Sequence, residues 1–122
     1  MPDISMLEYN YKNIGQDIIC GPHTIDNINE TLDGLRVKKA LIVCGPTILS
    51  QSDVVQRTQT SLGERYVGTF SGVAPHAPVS TVEDGVAICK DLQPEVIVAV
   101  GGGSTSDTAK GISMVWSGGG DI

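Results

Sequence analysis

The period of the apolar positions changes from block to block along the chain. Lys39-Ala40-Leu41-Ile42-Val43-Cys44 is a run closed by Gly45-Pro46, the mark of a strand buried on both faces of a parallel sheet. Glu95-Val96-Ile97-Val98-Ala99-Val100 is a second such run, β-branched and followed at once by Gly101-Gly102-Gly103. Tyr66 to Phe70 reads as a further strand, and the turn-rich Ser71 to Pro78 as a loop. Other blocks repeat at helical spacing. Ile25, Ile28, Leu32 and Leu35 among Asn, Asp and Glu predict an amphipathic helix over 24–35 with Thr24 as its N-cap. Val54, Val55 and Leu62 predict one over 53–62 that ends at Gly63, and Val82, Val86 and Cys89 share a face of one over 81–89. A last helix is predicted over 105–116. Upstream, Leu7 to Tyr11 and Asp17 to Cys20 read as a hairpin at a sheet edge, before a Gly21-Pro22 turn.

Strand and helix therefore alternate with short joins, which predicts an α/β fold: a Rossmann-like parallel sheet with helices on both faces. The 122 residues suffice for one compact domain with a single core, so residues 1–122 are expected to form one α/β domain. Ser117-Gly118-Gly119-Gly120-Asp121-Ile122 reads as a loop in transit, and the chain is expected to be cut short.

Composition narrows the partners. A net charge of −6 is the wrong sign for coating DNA or RNA, which needs clustered Lys and Arg. No apolar run approaches the roughly 20 residues of a membrane span. The N-terminal Met1-Pro2-Asp3-Ile4-Ser5 is acidic and lacks an apolar core segment, so no secretory signal is expected and the location is expected to be cytoplasmic. Cys20, Cys44 and Cys89 are odd in number and far apart, which suits buried reduced thiols better than disulfides or zinc.

The candidate chemistry lies in the glycine turn. Three glycines between a strand and a helix let backbone N–H groups approach an anion, and the helix dipole favours negative charge. Gly101-Gly102-Gly103-Ser104 is therefore a candidate pyrophosphate turn. It matches neither common fingerprint by spacing. Ser106 stands where a dinucleotide motif has its third glycine, and Lys110 comes too late for a P-loop. The alternative is that the glycines only make a tight turn, with Ser104 and Asp107 as a variant capping box and Asp107 near Lys110 as an exposed pair.

The longer string Gly101-Gly102-Gly103-Ser104-Thr105-Ser106-Asp107-Thr108-Ala109-Lys110 resembles the Gly-Gly-Gly-Ser-x-x-Asp-x-Ala-Lys segment of the iron-containing (group III) alcohol dehydrogenase family. Lys39 to Val43 resembles that family's first Rossmann strand, and Gly72-Val73-Ala74-Pro75-His76 its Gly-Val-x-Pro-Asn loop. The resemblance implies the dehydroquinate-synthase-like architecture, an N-terminal nucleotide-binding domain followed by an all-helical domain, the latter expected to be missing from this chain. It implies NAD or NADP as cofactor and hydride transfer between nicotinamide and a small alcohol or carbonyl. It also implies cofactor contacts at Gly45, Pro46, Thr47, Ser50, His76, Gly101, Gly102, Gly103, Ser104 and Asp107.

Two departures from the family pattern bear on specificity. Many members carry Asp directly after the first strand, where it would accept from the adenosine ribose and repel a 2′-phosphate; here that position is Gly45. Its loss removes a barrier to NADP, with Thr47 or Ser50 near the phosphate, unless Gly45-Pro46 is only a turn. His76 replaces Asn, and with Ala77-Pro78-Val79 it resembles the maleylacetate reductase branch; otherwise it is a solvated loop residue. Members bind iron or another divalent metal through one Asp and three His of the helical domain. With only His23 and His76, no metal site, no catalytic residue and no turnover by the chain alone are expected. A partly apolar face meant for the missing domain is expected to promote a homo-oligomer such as a dimer. The competing readings are a stand-alone nucleotide- or phosphate-binding module without enzymatic activity, and a flavodoxin-like or regulatory α/β domain whose glycines only shape a loop.

Overall fold

The computed structural model describes residues 9–13, 16–20 and 23–118. Tyr9–Asn13 (β1) pairs antiparallel with Gln16–Cys20 (β2) in a two-stranded sheet of its own. Ile28–Leu35 (α1), Ala40–Cys44 (β3), Pro46–Gln51 (α2), Val54–Leu62 (α3), Tyr66–Phe70 (β4), Val79–Leu92 (α4), Val96–Val100 (β5) and Gly103–Ser117 (α5) follow. β3, β4 and β5 form a parallel sheet in the order β4-β3-β5.

All five residues of central β3 are 0% exposed, as its unbroken apolar run requires. Their side chains divide by the period of two. Leu41 and Val43 face Val86 and Cys89 of α4 and Ala109 and Ile112 of α5. Ala40, Ile42 and Cys44 face Leu32 of α1 and Val55 and Leu62 of α3. The sheet is thus covered by helices on both faces, as the alternation of elements predicts. α4 and α5 approach closely through glycine: a β-carbon at Gly85 would overlap Ile112, and one at Gly111 would lie 3.0 Å from Val82 Cγ2.

Several local expectations are corrected. The hairpin is not at the edge of the parallel sheet, and β1 covers 9–13 where the sequence suggests 7–11; residues 7 and 8 lie outside the described residues. Thr24 is not a helix cap. Residues Thr24–Asn27 form a 3₁₀ turn preceded by His23 in left-handed conformation, and α1 starts only at Ile28. Pro46–Gln51 is helical, although Gly45-Pro46 suggests only a turn; Pro46 at the first helical position has its φ preset and no N–H to leave unbonded. α4 extends from 79 to 92, beyond the expected 81–89, because it starts directly after Pro78 and ends on left-handed Gln93. Cys44 and Cys89 are buried free thiols, and burial pushes both up from the ordinary cysteine range. The Cys20 side chain, Gly21-Pro22 and residues 119–122 lie outside the described residues.

Candidate functional site

Cys44 pairs with Val100 in the parallel register, so the turns leaving β3 and β5 emerge side by side at the carboxyl edge of the sheet. From β3 the chain passes to α3 on one face, and from β5 it passes to α5 on the other. Such a divergence opens a crevice between the two turns, the usual place for a ligand in a parallel α/β sheet.

The loop after β4 spans this crevice. The Val73 N–H donates to the Cys44 carbonyl at 3.4 Å, across the end of β3. The His76 N–H then donates to Ser104 Oγ at 3.4 Å, on the first turn of α5. His76 and Ala77 both have positive φ, 66° and 46°. The loop thus links three elements that are far apart in sequence.

The glycine turn is built from unequal glycines. Gly101 has φ 150°, and a β-carbon there would lie 2.5 Å from Thr105 Oγ1, so only glycine fits. β-carbons at Gly102 and Gly103 would meet nothing within 4 Å, which leaves the approach to their backbone open. Gly102 is the N-cap of α5, and no side chain caps it. The N–H groups of the helix's first turn therefore lack a side-chain cap and stand beside open space as donors at the positive end of the dipole.

This arrangement corrects the capping-box alternative. α5 begins at Gly103, two residues earlier than expected, so Ser104 lies inside the first turn and is not its cap. Its hydroxyl accepts from the His76 amide. Asp107 is exposed, and it forms no ion pair with Lys110 among the described residues. Gly45 is the N-cap of the six-residue α2 in ordinary extended backbone, φ −86° and ψ 163°, and a β-carbon there has room, 3.9 Å from the Val73 carbonyl oxygen. Pro46, Thr47 and Ser50 are exposed on α2, where Ser50 Oγ donates to the Thr47 carbonyl at 3.3 Å. Val73 and Thr105 lie within the resembled strings but are not among the residues expected to make contacts. Thr105 sets the need for glycine at 101, and Val73 ties the loop to β3, a contact with no local sequence signal.

Among the described residues no group of three or more His, Cys, Asp or Glu could hold a metal ion. The described residues therefore do not fit the iron of the resembled family. No helix among them is long and apolar enough to cross a membrane.

A family model described as iron-containing alcohol dehydrogenase matches residues 15–120. Maleylacetate reductase of Sphingobium indicum is 30% identical over 108 residues, covering 88% of this chain and 30% of that protein. NADH-dependent butanol dehydrogenase A of Clostridium acetobutylicum is 32% identical over 112 residues, 88% of this chain and 28% of that protein. The crystal structure of a 1,3-propanediol oxidoreductase superposes with a TM-score of 0.75 at 36% identity, over 84% of this chain and 27% of the other. The chain thus spans less than a third of the length of the relatives it matches.

Proposed function

The chain belongs to the iron-containing alcohol dehydrogenase family, and from that premise we propose that it is the NAD(P)-binding part of an oxidoreductase that moves hydride between nicotinamide and a small alcohol or carbonyl. The observation that carries this reading is the open glycine turn of α5, where Gly102 and Gly103 leave the first-turn N–H groups accessible. In the proposed complex those donors and the Ser104 hydroxyl receive the pyrophosphate, and Asp107 lies one turn further along α5. The turn after β3, with Gly45, Pro46, Thr47 and Ser50, holds the adenosine ribose. A relative named for its NADH dependence supports the choice of ligand.

Nicotinamide supplies the hydride chemistry when bound; the chain's own residues bind and orient it and shield one side of the crevice. Among the described residues no group could hold the family's metal; the role proposed for this stretch is nucleotide binding. With Gly45 in place of a carboxylate, the ribose site accepts a 2′-phosphate, and NADP binds at least as well as NAD.

The test is calorimetric titration of the chain with ADP-ribose and 2′-phospho-ADP-ribose, beside a Gly102→Asp variant. Gly102 has extended backbone and open space, so Asp fits and improves the cap. Its carboxylate then occupies the place assigned to the phosphate. We expect binding of both ligands by the wild type, and loss of binding in the variant with its melting temperature kept or raised. Undiminished binding by Gly102→Asp would contradict the assignment, and a strong preference for ADP-ribose would contradict the NADP reading.

A further inference from the structure

We propose that the free edge of β5, with the groove it forms against α5, is the contact through which two copies of this chain join into one continuous sheet. The contact is independent of the nucleotide site, and it gives the expected homo-oligomer a defined surface.

The parallel sheet ends in two edges of different quality. β4 pairs with β3 through a register break between Ala40 and Leu41 and holds a glycine, Gly68, at its centre. β5 keeps register with β3 over all five residues, Val96-Ile97-Val98-Ala99-Val100, without a charge, proline or glycine. A regular apolar edge of this kind is a template for another strand, and none of the devices by which natural edges block pairing interrupts it. The Val96 N–H donates to the Lys39 carbonyl at 3.1 Å. By the alternation of a strand, the N–H and C=O groups of Ile97 and Ala99 therefore point away from β3, and among the described residues nothing pairs with them.

The same edge forms one wall of an open groove of about 560 Å³, and α5 forms the other. Ile97 and Ala99 share the groove with Ser106, Ala109 and Ser113, and Met114, which also lines it, is 75% exposed. Side chains as small as these let a second helix approach α5 at about 8 Å, the close end of the helix-packing range.

Charge and symmetry select a second copy as the occupant. The chain carries a net charge of −6, yet the charged residues of the groove are one acid and one base, Glu95 and Lys110. Two acidic chains can meet there without juxtaposing excess charge. Trp116 Nε1 donates to the Pro94 carbonyl at 3.1 Å, so α5 runs back along β5 and Lys110, halfway down the helix, stands level with the middle of the strand. Laid antiparallel about Ile97, two copies exchange both backbone bonds at that residue and set Ala99 of each opposite Glu95 of the other. Glu95 is held in place by the Lys38 N–H, 3.0 Å from its Oε1. Each Glu95 then arrives on the side of the other copy's Lys110, which makes no ion pair among the described residues. The two α5 helices lie antiparallel on one face of the joined sheet, with the small side chains between them.

Sedimentation velocity of the chain between about 1 and about 300 µM tests the contact, with hydrogen exchange of the Ile97 and Ala99 amides on the same samples. We expect a monomer that passes to a dimer as concentration rises, with exchange of the two amides slowed about tenfold or more in the dimer. Ala99→Pro removes an outward N–H at an exposed edge position, where proline is tolerated. It should leave the melting temperature nearly unchanged and weaken dimerisation about tenfold or more. Ser113→Arg, on the exposed face of α5, should weaken it likewise without touching the strand, and it decides the matter should Ala99→Pro fail to fold. Ile19→Glu, at a residue 50% exposed on the β1-β2 hairpin, should leave the dimer unchanged. A chain that stays monomeric throughout would overturn the proposal, and slow exchange of the two amides in that monomer would assign the edge to another segment of the same chain. A dimer that survives both Ala99→Pro and Ser113→Arg, or one that only Ile19→Glu dissolves, would place the contact elsewhere and overturn it too.

Discussion

The turns that leave β3 and β5 stand side by side, yet they are made on opposite principles. Gly101 is locked as glycine by its φ of 150° and by Thr105. It opens a 15-residue helix that buries Thr105, Thr108, Ala109 and Ile112. Gly45 has extended backbone that any residue adopts, and it opens a six-residue helix with no buried residue and a proline where the first N–H would be. The β5 turn is suited to bind through its backbone, on an anchored helix. The β3 turn offers few free donors, and what it contributes depends on the side chain chosen at position 45. In the proposed complex affinity resides at the first turn and discrimination at the second.

Substitution at each turn can break this division. The largest effect is expected from Gly101→Ala. The added β-carbon strains the backbone and meets Thr105, so stability should fall by about 1–3 kcal/mol in a thermal melt and ADP-ribose binding should be lost. Retained binding would show that the turn is not the anion site. Gly45→Asp comes next. Its carboxylate has room and should leave the melting temperature nearly unchanged, while weakening 2′-phospho-ADP-ribose about tenfold relative to ADP-ribose in the same titration. Equal loss of both ligands would mean that position 45 contributes affinity and not choice. Thr108→Val is the smallest. Thr108 is 0% exposed and its Oγ1 has no hydrogen-bond partner, so replacing the hydroxyl by a methyl should raise stability by about 1 kcal/mol without changing nucleotide affinity. A loss of stability would place an ordered water or a partner on that oxygen.

The same contrast explains what could be read from the chain beforehand. Continuous apolar runs made β3 and β5 legible, but only central β3 is buried on both faces as such a run implies; β5 lies at the sheet edge, and of its five residues only Val100 is buried while Ala99 is exposed. The glycine turn stood out because a three-glycine string between strand and helix has few structural uses. α2 was hidden: six residues beginning Pro46-Thr47 show no helical period and bury nothing. The start of α5 was misplaced because Ser104 and Asp107 imitate a capping box, whereas Gly102, with no side chain at all, takes the N-cap. Contacts across the crevice, from Val73 to Cys44 and from His76 to Ser104, join residues 29 and 28 positions apart. No local pattern encodes them, since they depend on the β4-β3-β5 strand order.

The central claim is that the backbone of the β5 turn receives the pyrophosphate. It is tested most directly by following backbone amide resonances of the chain during titration with ADP-ribose. The account predicts that the largest shifts fall on the amides of Gly102, Gly103 and Ser104, with smaller ones at Gly45 and His76. Saturable binding that left those three amides unmoved, or no binding at all, would contradict it.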